Sequence, residues 1–227
     1  MTTGGPAPKA GDLLITRGRL LSLDDRLDET VQDVRLSGGR VVDVGPDLRT
    51  AGPEPAAVLD ADGLTVVPLM DDTVLTAHPT EPGTPLPGSP GSPADLVLVR
   101  GPVTRWAALH QLVVGPPQLA GVLIGGTPVA AHGRMSVSSS AHAATVPDDD
   151  PRLGTWIDRT GYLEQTLVPD GRYHETRAGR PNAFTGAHWL FGSRVVYLDD
   201  TGFFAFGQVV GDVLHHAGYV MTKQLGA

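Results

Sequence analysis

The sequence predicts an all-β protein, a composite β-sandwich followed by a small antiparallel up-and-down β-barrel. Composition is the first reason, because 29 Gly and 20 Pro accompany only 5% aromatic residues, which favours short strands and turns over long helices. Pattern is the second, because the apolar segments are short and end at glycine or proline. The third is a stretch rich in proline, glycine and serine within the 227 residues, which favours two domains.

Composition also excludes several classes of function. The chain has no cysteine, which excludes disulfides, thiolate metal ligands and thiol catalysis. Its net charge is -8, and its two lysines and scattered arginines form no basic cluster, so we expect no nucleic-acid partner. No segment reaches the roughly 18 apolar residues that span a bilayer, so we expect no membrane partner and a cytoplasmic location.

The first domain is expected at residues 12–135, after a disordered N-terminus at residues 1–11. Its predicted strands read DLLITRGRL, VQDVRLSGG and RVVDVG, and a turn signal follows each of them. A further unit, AAVLDADGLTVVP, places two short apolar strands on either side of a polar turn.

These phrases, above all VLDADGLTVVP, resemble the N-terminal part of the amidohydrolase superfamily. The resemblance implies a urease-like composite β-sandwich, which in that family runs into a metal-binding barrel through a glycine and a His-x-His pair. Here Leu69 stands in place of the glycine, and His78 stands alone. A zinc hydrolase needs several His and Asp ligands, so we expect no metal and no metal-dependent amidohydrolase activity.

A loop at residues 79–93, PTEPGTPLPGSPGSP, is expected to replace that whole barrel. The segment ADLVLVR after it resembles the part of the composite domain that follows the barrel. The sandwich can survive this deletion, because the cost of closing a loop grows only with the logarithm of its length. Surface that the barrel would cover is then bare, and we expect the C-terminal domain or a second subunit of a homodimer to cover it.

Three residues of the first domain invite a functional assignment, but their sequence context favours structural roles. His110 is predicted on an alternating strand, and His132 in a closing turn. Trp106 is predicted to pack inside the domain, because large aromatic side chains contribute mostly buried area.

The second domain is expected at residues 153–227, after a linker at residues 136–152. Turn sequences such as PDG and DDTG separate seven predicted strands, and closing these into a barrel would remove their exposed edges. The seven segments read GTWI, YLEQTLV, RYHETR, NAFTGAHWLF, RVVYL, FFAFGQVV and DVLHHAGYVMT.

The second domain resembles, over nearly its full length, a family of short bacterial proteins from Agrobacterium-type genomes. The phrases GTW, LVPDGRYxExR, YLDDTGF and DxLHHxG carry the resemblance in this order. It implies a compact streptavidin-like barrel and no particular activity. The chain departs from the family at His174, where an acidic residue is usual, and at Phe204 to Phe206, where the family is more polar. These departures predict a more hydrophobic ligand or interface.

Strand parity sorts the polar side chains of this domain. Tyr173, Glu175 and Arg177 share one face of their strand, either inside a barrel as a buried charge pair or outside as a surface pair. His215 and His216 point to opposite faces, so the pair is not expected to bind one metal ion. On a strand that continues without interruption, Tyr219 would share the face of His215.

A histidine beside a carboxylate can act as general acid or base. The catalytic candidates are therefore His215 or His216 with Glu175, Asp199 or Asp200, although both aspartates are also good turn residues. Aromatic walls, hydroxyl donors and one cation could orient a small ligand. The expected ligand-binding residues are Trp156, Tyr173, Arg177, Tyr197, Phe204, Phe206 and Tyr219, with Tyr162 as a further hydroxyl donor.

Two functions of different classes follow from this pattern. The first is an enzyme without metal or organic cofactor, an isomerase, cyclase or dehydratase that acts on a hydrophobic small molecule of secondary metabolism. The second is a protein that binds or carries such a molecule without changing it. A third role, as a dimerisation platform, belongs to the bare sandwich surface. The sequence leaves open whether the site lies within the barrel or between the domains.

Overall fold

The computed structural model of the chain describes residues 12–21, 30–52, 54–70, 84–110 and 112–224. The described residues are mainly β-strand, with two short helices, which confirms the predicted all-β class. The expected disorder of the first eleven residues and the isolated His78 lie outside the described residues.

The chain divides into two compact units. Unit 1 comprises Met1–Ala108 and Gln118–His132, and unit 2 comprises Leu109–Pro117 and Gly133–Ala227. Each unit has its own sheet and its own apolar core.

The strands are numbered in chain order. The first ten are β1 Leu13–Leu20, β2 Thr30–Ser37, β3 Arg40–Gly45, β4 Ala57–Asp60, β5 Leu64–Pro68, β6 Leu96–Arg100, β7 Val113–Val114, β8 Leu119–Ile124, β9 Thr127–Ala131 and β10 Arg134–Met135. The other eight are β11 Gly154–Asp158, β12 Leu163–Leu167, β13 Arg172–Arg177, β14 Arg180–Phe191, β15 Arg194–Asp199, β16 Phe204–Val210, β17 Val213–His216 and β18 Tyr219–Lys223. The helices are α1 Arg105–His110 and α2 Ser139–Ala143.

Unit 1 holds a mixed sheet with the strand order β9-β8-β6-β5-β1-β2-β3. Most neighbours are antiparallel, but β1 runs parallel to both β4 and β5. Its core is aliphatic, because alternate residues of each strand point to one face and are apolar. Its larger buried members are Leu13, Ile15, Val34, Leu36, Val41, Val66, Leu96, Leu98 and Leu123.

Three local predictions for the first domain meet different outcomes. His110 ends helix α1 instead of lying on an alternating strand, so that prediction was wrong. Trp106, on the same helix, leaves 63% of its surface exposed and is not a core residue. His132 lies in a turn, as predicted, with a φ of 50° and its Nδ1 3.3 Å from Nη2 of Arg100.

The described part of the expected loop, residues 84–93, turns back onto the sheet of unit 1. The Val41 N–H donates to the Ser92 carbonyl at 2.9 Å, and the Gly91 N–H donates to the Val41 carbonyl at 2.7 Å. Ser92 is only 1% exposed. This segment is therefore anchored to the edge of β3, although it contains no regular strand.

Unit 2 is built around a closed antiparallel barrel of eight strands, β11 to β18, each paired with the next along the chain. Pairing of β18 with β11 closes the barrel. The predicted up-and-down barrel is thus confirmed, with eight strands instead of seven. The extra strand arises because a two-residue turn at Ala217 and Gly218, with φ of 50° and 81°, divides the last predicted segment into β17 and β18.

The barrel interior has an apolar part and a polar part. The apolar part contains Trp156, Leu163, Leu167, Leu190, Val195, Leu214 and Met221. The polar part contains Gln165, Glu175 and His216, all nearly inaccessible to solvent. Cross-strand partners share a face, so the register of β12, β13 and β17 decides which polar groups point inward.

Two segments outside the eight strands complete unit 2. Strand β7 pairs with the first residues of β16, where Phe204 lies opposite Val114 and Ala205 opposite Val113. The segment expected as a linker, residues 136–152, contains α2 and packs on the barrel, because His142 bonds to the backbone of Leu190 on β14.

Candidate functional site

A cavity of about 380 Å³ opens within unit 2. Its walls come from β13 to β17 and from β7, near the end of the barrel that carries the β13–β14, β15–β16 and β17–β18 turns. The lining residues are Val113, Tyr173, Glu175, Arg177, Phe184, Asp199, Phe203, Ala205, His216 and Ala217.

Glu175 is the buried carboxylate of this cavity, with 2% of its surface exposed. Its Oε1 accepts from Nε of Arg177 at 2.5 Å, and its Oε2 accepts from Nε2 of Gln165 at 3.1 Å. Burial raises the pKa of Glu175, while the guanidinium of Arg177 opposes that shift. The pair therefore lies inside the barrel, which resolves the alternative between a buried and a surface pair.

His216 lies opposite Glu175, with Nε2 3.8 Å from Oε2. Its other ring nitrogen, Nδ1, is 3.3 Å from the carbonyl oxygen of Phe206. A carbonyl oxygen only accepts, so Nδ1 carries the hydrogen and Nε2 of the neutral ring presents a lone pair to the carboxylate. Burial lowers the pKa of His216 to about 4, so the imidazole is neutral at pH 7.

Tyr173 and Tyr197 meet behind this pair. Their ring centroids are 5.2 Å apart in an edge-to-face geometry. The Tyr197 hydroxyl donates to Oε1 of Gln165 at 2.8 Å, so hydrogen bonds join Tyr197 to Glu175 through Gln165. Tyr173 is 4% exposed, and its hydroxyl has no hydrogen-bond partner among the described residues. Burial raises the pKa of Tyr173, so this hydroxyl stays protonated at neutral pH.

Gly186 makes room for this arrangement. It lies opposite Tyr173 on β14, and a methyl group in its place would lie 2.7 Å from Cε1 of the Tyr173 ring and would also meet the backbone of β15. Only glycine therefore fits between the Tyr173 ring and the backbone of β15 at this position.

The mouth of the cavity is apolar and exposed to solvent. Phe184, Phe203 and Val113 keep 41%, 46% and 45% of their surface accessible. The guanidinium carbon of Arg177 lies 4.6 Å from the centroid of the Phe184 ring, a cation–π geometry. The site therefore combines a polar floor with an aromatic rim.

The two adjacent histidines have different environments. His216 belongs to the inner face with Leu214, while His215 belongs to the outer face and does not line the cavity. Tyr219 pairs with His216 across the turn and therefore shares its face, so its predicted placement with His215 was wrong. The turn at Ala217 changed the parity, because the strand does not continue through it.

Asp199 and Asp200 hold turns and surface contacts. Oδ1 of Asp199 accepts from the N–H groups of Thr201 and Phe203, which closes the β15–β16 turn, although the residue also lines the cavity. Asp200 pairs with Arg172 and Thr185 outside the barrel, and these contacts lower its pKa to about 2. Asp200 is therefore separated from both histidines.

The predicted ligand-binding residues are divided between the cavity and other places. Tyr173 and Arg177 line the cavity. Trp156 and Tyr197 point inward but are buried in the apolar core, and the Trp156 Nε1–H donates to the Arg152 carbonyl at 3.0 Å. The other predicted members lie outside the lining: Tyr219 stacks on Tyr162, and Phe204 and Phe206 have the parity of the outer face.

Sequence reasoning missed several lining residues. Phe203 and Ala205, not their neighbours, face the cavity, and the pairing of Ala205 with Tyr197 decides this. Gln165 does not line the cavity but donates to Glu175, and its parity with Leu163 and Leu167 could have indicated that it points inward. Val113 carried no signal, because only long-range pairing brings β7 to the barrel.

The described ranges contain neither a cluster of metal ligands nor a membrane-spanning helix. No group of three or more His, Asp or Glu side chains there is arranged to hold a metal ion. In the same ranges, no helix has the length and apolarity needed to cross a bilayer.

Comparison with known proteins supports the resemblance of the C-terminal part. Residues 149–223 match the family described as Agrobacterium tumefaciens protein Atu4866. The solution structure of the protein Atu4866 from Agrobacterium tumefaciens is 38% identical, and the match covers 33% of this chain and 96% of that chain, with a TM-score of 0.31. No curated protein matches the chain. The amidohydrolase resemblance of the N-terminal part is not shown by these matches.

Proposed function

We propose that the barrel of unit 2 binds a small molecule in the cavity between Glu175, His216 and the aromatic rim. The observation that carries this proposal is a carboxylate and a neutral imidazole, both nearly buried, on the floor of a cavity of about 380 Å³. Ligand sites in proteins are typically concave, mostly apolar and supplied with a few convergent polar groups. A buried charge is costly, and a fold that needed only stability would be served by apolar residues here.

Catalysis is the second candidate, and one observation favours it. Glu175 Oε2 and His216 Nε2 are 3.8 Å apart, and burial moves the two pKa values in opposite directions, up for the acid and down for the imidazole. Such a pair could pass a proton between two positions of a bound substrate, as an isomerase, cyclase or dehydratase requires. Neither a metal nor an organic cofactor is part of this proposal.

The two adjacent histidines give a matched test of the cavity. We expect His216→Ala to weaken ligand binding, measured by isothermal titration against compounds found in a thermal-shift screen of metabolites. His215→Ala removes the same side chain from the outer face and should leave that affinity unchanged. Equal effects of both substitutions would contradict a site inside the barrel.

Turnover separates the two candidate functions. If the protein is a catalyst, His216→Ala should abolish conversion of the bound compound while saturation of the cavity at high ligand concentration is retained, as followed by NMR of the compound. If the wild-type protein leaves the bound ligand unchanged over days, the catalytic proposal is contradicted and the binding proposal stands.

For unit 1 we propose an amidohydrolase-like composite domain that lacks its metal barrel. The neighbours β5 and β6 support this, because they pair directly although the chain leaves the sheet at Pro68 and returns at Leu96. A second subunit could cover the exposed valines of this unit, Val31 and Val58. Light scattering after size exclusion tests the homodimer, and a strict monomer at micromolar concentration would contradict it.

A further inference from the structure

The floor of the cavity presents hydrogen-bond acceptors that face each other without a donor between them. Nε2 of His216 carries a lone pair, because Nδ1 points its hydrogen at the Phe206 carbonyl. Oε2 of Glu175 lies 3.8 Å away, beyond the reach of a direct hydrogen bond. A ligand nitrogen to one side of the line between these atoms can lie at hydrogen-bond distance, about 2.9 Å, from both of them, and its N–H groups could donate to each.

A third polar group points at the same space. Tyr173 is 4% exposed, lines the cavity, and has a hydroxyl without a hydrogen-bond partner among the described residues. The hydroxyl oxygen is accessible to solvent, so it is free to form a hydrogen bond with a ligand in the cavity.

The charges of the lining favour one kind of ligand. Two carboxylates, Glu175 and Asp199, face the cavity against one guanidinium, that of Arg177. The guanidinium is partly engaged, because its Nε donates to Glu175 and its carbon lies over the Phe184 ring, so part of its charge is already balanced. An anionic ligand would meet an excess of negative charge, whereas a cation would be attracted by the carboxylates and by the aromatic faces.

The rim and the volume of the cavity determine the polarity and size of the rest of the ligand. Phe184, Phe203 and Val113 expose apolar surface around the mouth, and the small side chains of Ala205 and Ala217 leave the space between rim and floor open. A volume of about 380 Å³ lies near the lower end of the range for ligand pockets, roughly 300 to 1,000 Å³. The body of the ligand is therefore small and apolar.

We propose that the ligand is a small amine: an apolar, ring-sized body held by Phe184 and Phe203, with an N–H group placed between Glu175 and His216. This inference rests on the proposed binding function of the cavity. The two carboxylates of the lining disfavour phosphates, carboxylates and other anions. Purely apolar compounds would leave Nε2 of His216 and the hydroxyl of Tyr173 without a hydrogen bond from the ligand.

Three probes of equal size test the ligand class on the full chain. 2-Phenylethylamine, 2-phenylethanol and phenylacetate share a benzyl body and differ in the terminal group. We expect protein NMR titrations to give the highest affinity for the amine and at least about tenfold weaker binding for phenylacetate. Phenylacetate binding as tightly as the amine would overturn the proposal.

Two variants locate the contact. Glu175→Gln keeps the size of the side chain and removes its charge, so it should weaken amine binding about tenfold and change 2-phenylethanol binding less. Ala205→Leu leaves the floor intact and fills the cavity, so it should weaken the binding of both the amine and the alcohol. It is the alternative test if Glu175→Gln fails to fold. Amine affinity unchanged in both variants would refute the assignment.

The same titrations distinguish a failure of the amine proposal from a failure of the proposed binding function. If neither the amine nor the alcohol binds but other fragments shift resonances of the cavity residues, the amine class is wrong and the binding function stands. If no fragment of any charge perturbs those residues, both are wrong.

Discussion

At the scale of single residues, the site depends on a buried line of hydrogen bonds. Tyr197 donates to Gln165, Gln165 donates to Glu175, and Arg177 donates to the other oxygen of Glu175. Each polar group of this line has a partner, which is what makes the charge tolerable inside a barrel. The line also fixes the orientation of the Glu175 carboxylate toward His216.

Removing the first donor of this line should destabilise the barrel. Tyr197→Phe leaves Oε1 of Gln165 without the donor it now has, and an unsatisfied buried acceptor costs about 1 to 3 kcal/mol. We expect urea unfolding to show a loss in this range. Tyr162→Phe, at a residue 43% exposed, is the control and should change the free energy of unfolding by less than about 0.5 kcal/mol. A loss equal to that of the control would contradict the role assigned to the hydrogen bond.

At the scale of elements, two hairpin turns border the cavity and share one sequence. Ala178-Gly179 joins β13 to β14, and Ala217-Gly218 joins β17 to β18. Both alanines have a positive φ, 49° and 50°, and both glycines follow with 75° and 81°. This is the backbone of a type I′ turn, which suits the twist of a hairpin but strains a residue with a Cβ atom.

Asparagine tolerates the left-handed region better than alanine does, so these turns can be improved. We expect Ala178→Asn and Ala217→Asn each to raise the free energy of unfolding by about 0.5 to 1 kcal/mol, measured by urea denaturation. Gly218→Val places a β-branched residue at a φ of 81° and should lower it. Stability that falls in both asparagine variants would show that the turns have another geometry.

At the scale of the whole molecule, local sequence signals predicted the barrel and distant pairing decided its site. Short alternating strands and turn residues were sufficient for the order β11 to β16, but β17 and β18 were predicted as one strand. The parity of β13 correctly grouped Tyr173, Glu175 and Arg177. The face of Tyr219 was predicted wrongly, because one turn within a predicted strand reverses the parity of the residues after it. Val113 was not predicted as a lining residue, because β7 comes from a remote part of the chain.

Two buried imidazoles make the stability of the molecule depend on pH. Burial lowers the pKa of His188 and of His216 to about 4, against about 6.5 in an unfolded chain. Between these values the unfolded chain binds protons that the folded chain does not. The free energy of unfolding therefore falls as the pH falls from about 6.5 to about 4, and is independent of both groups above that window.

The size of this effect can be measured one histidine at a time. Each imidazole contributes a loss of up to about 3 kcal/mol across the window, and the raised pKa of Glu175 offsets part of it, because the folded carboxyl takes up its proton at higher pH. We expect urea unfolding between pH 7.5 and 5 to show a stability that falls with pH, and a shallower fall in His188→Asn and in His216→Asn. His174→Asn, at an exposed position, should leave the slope unchanged. A wild-type stability that is flat across this range would mean that both rings are already protonated or solvated in the folded barrel, and the neutral Nε2 acceptor of His216 would be lost with them.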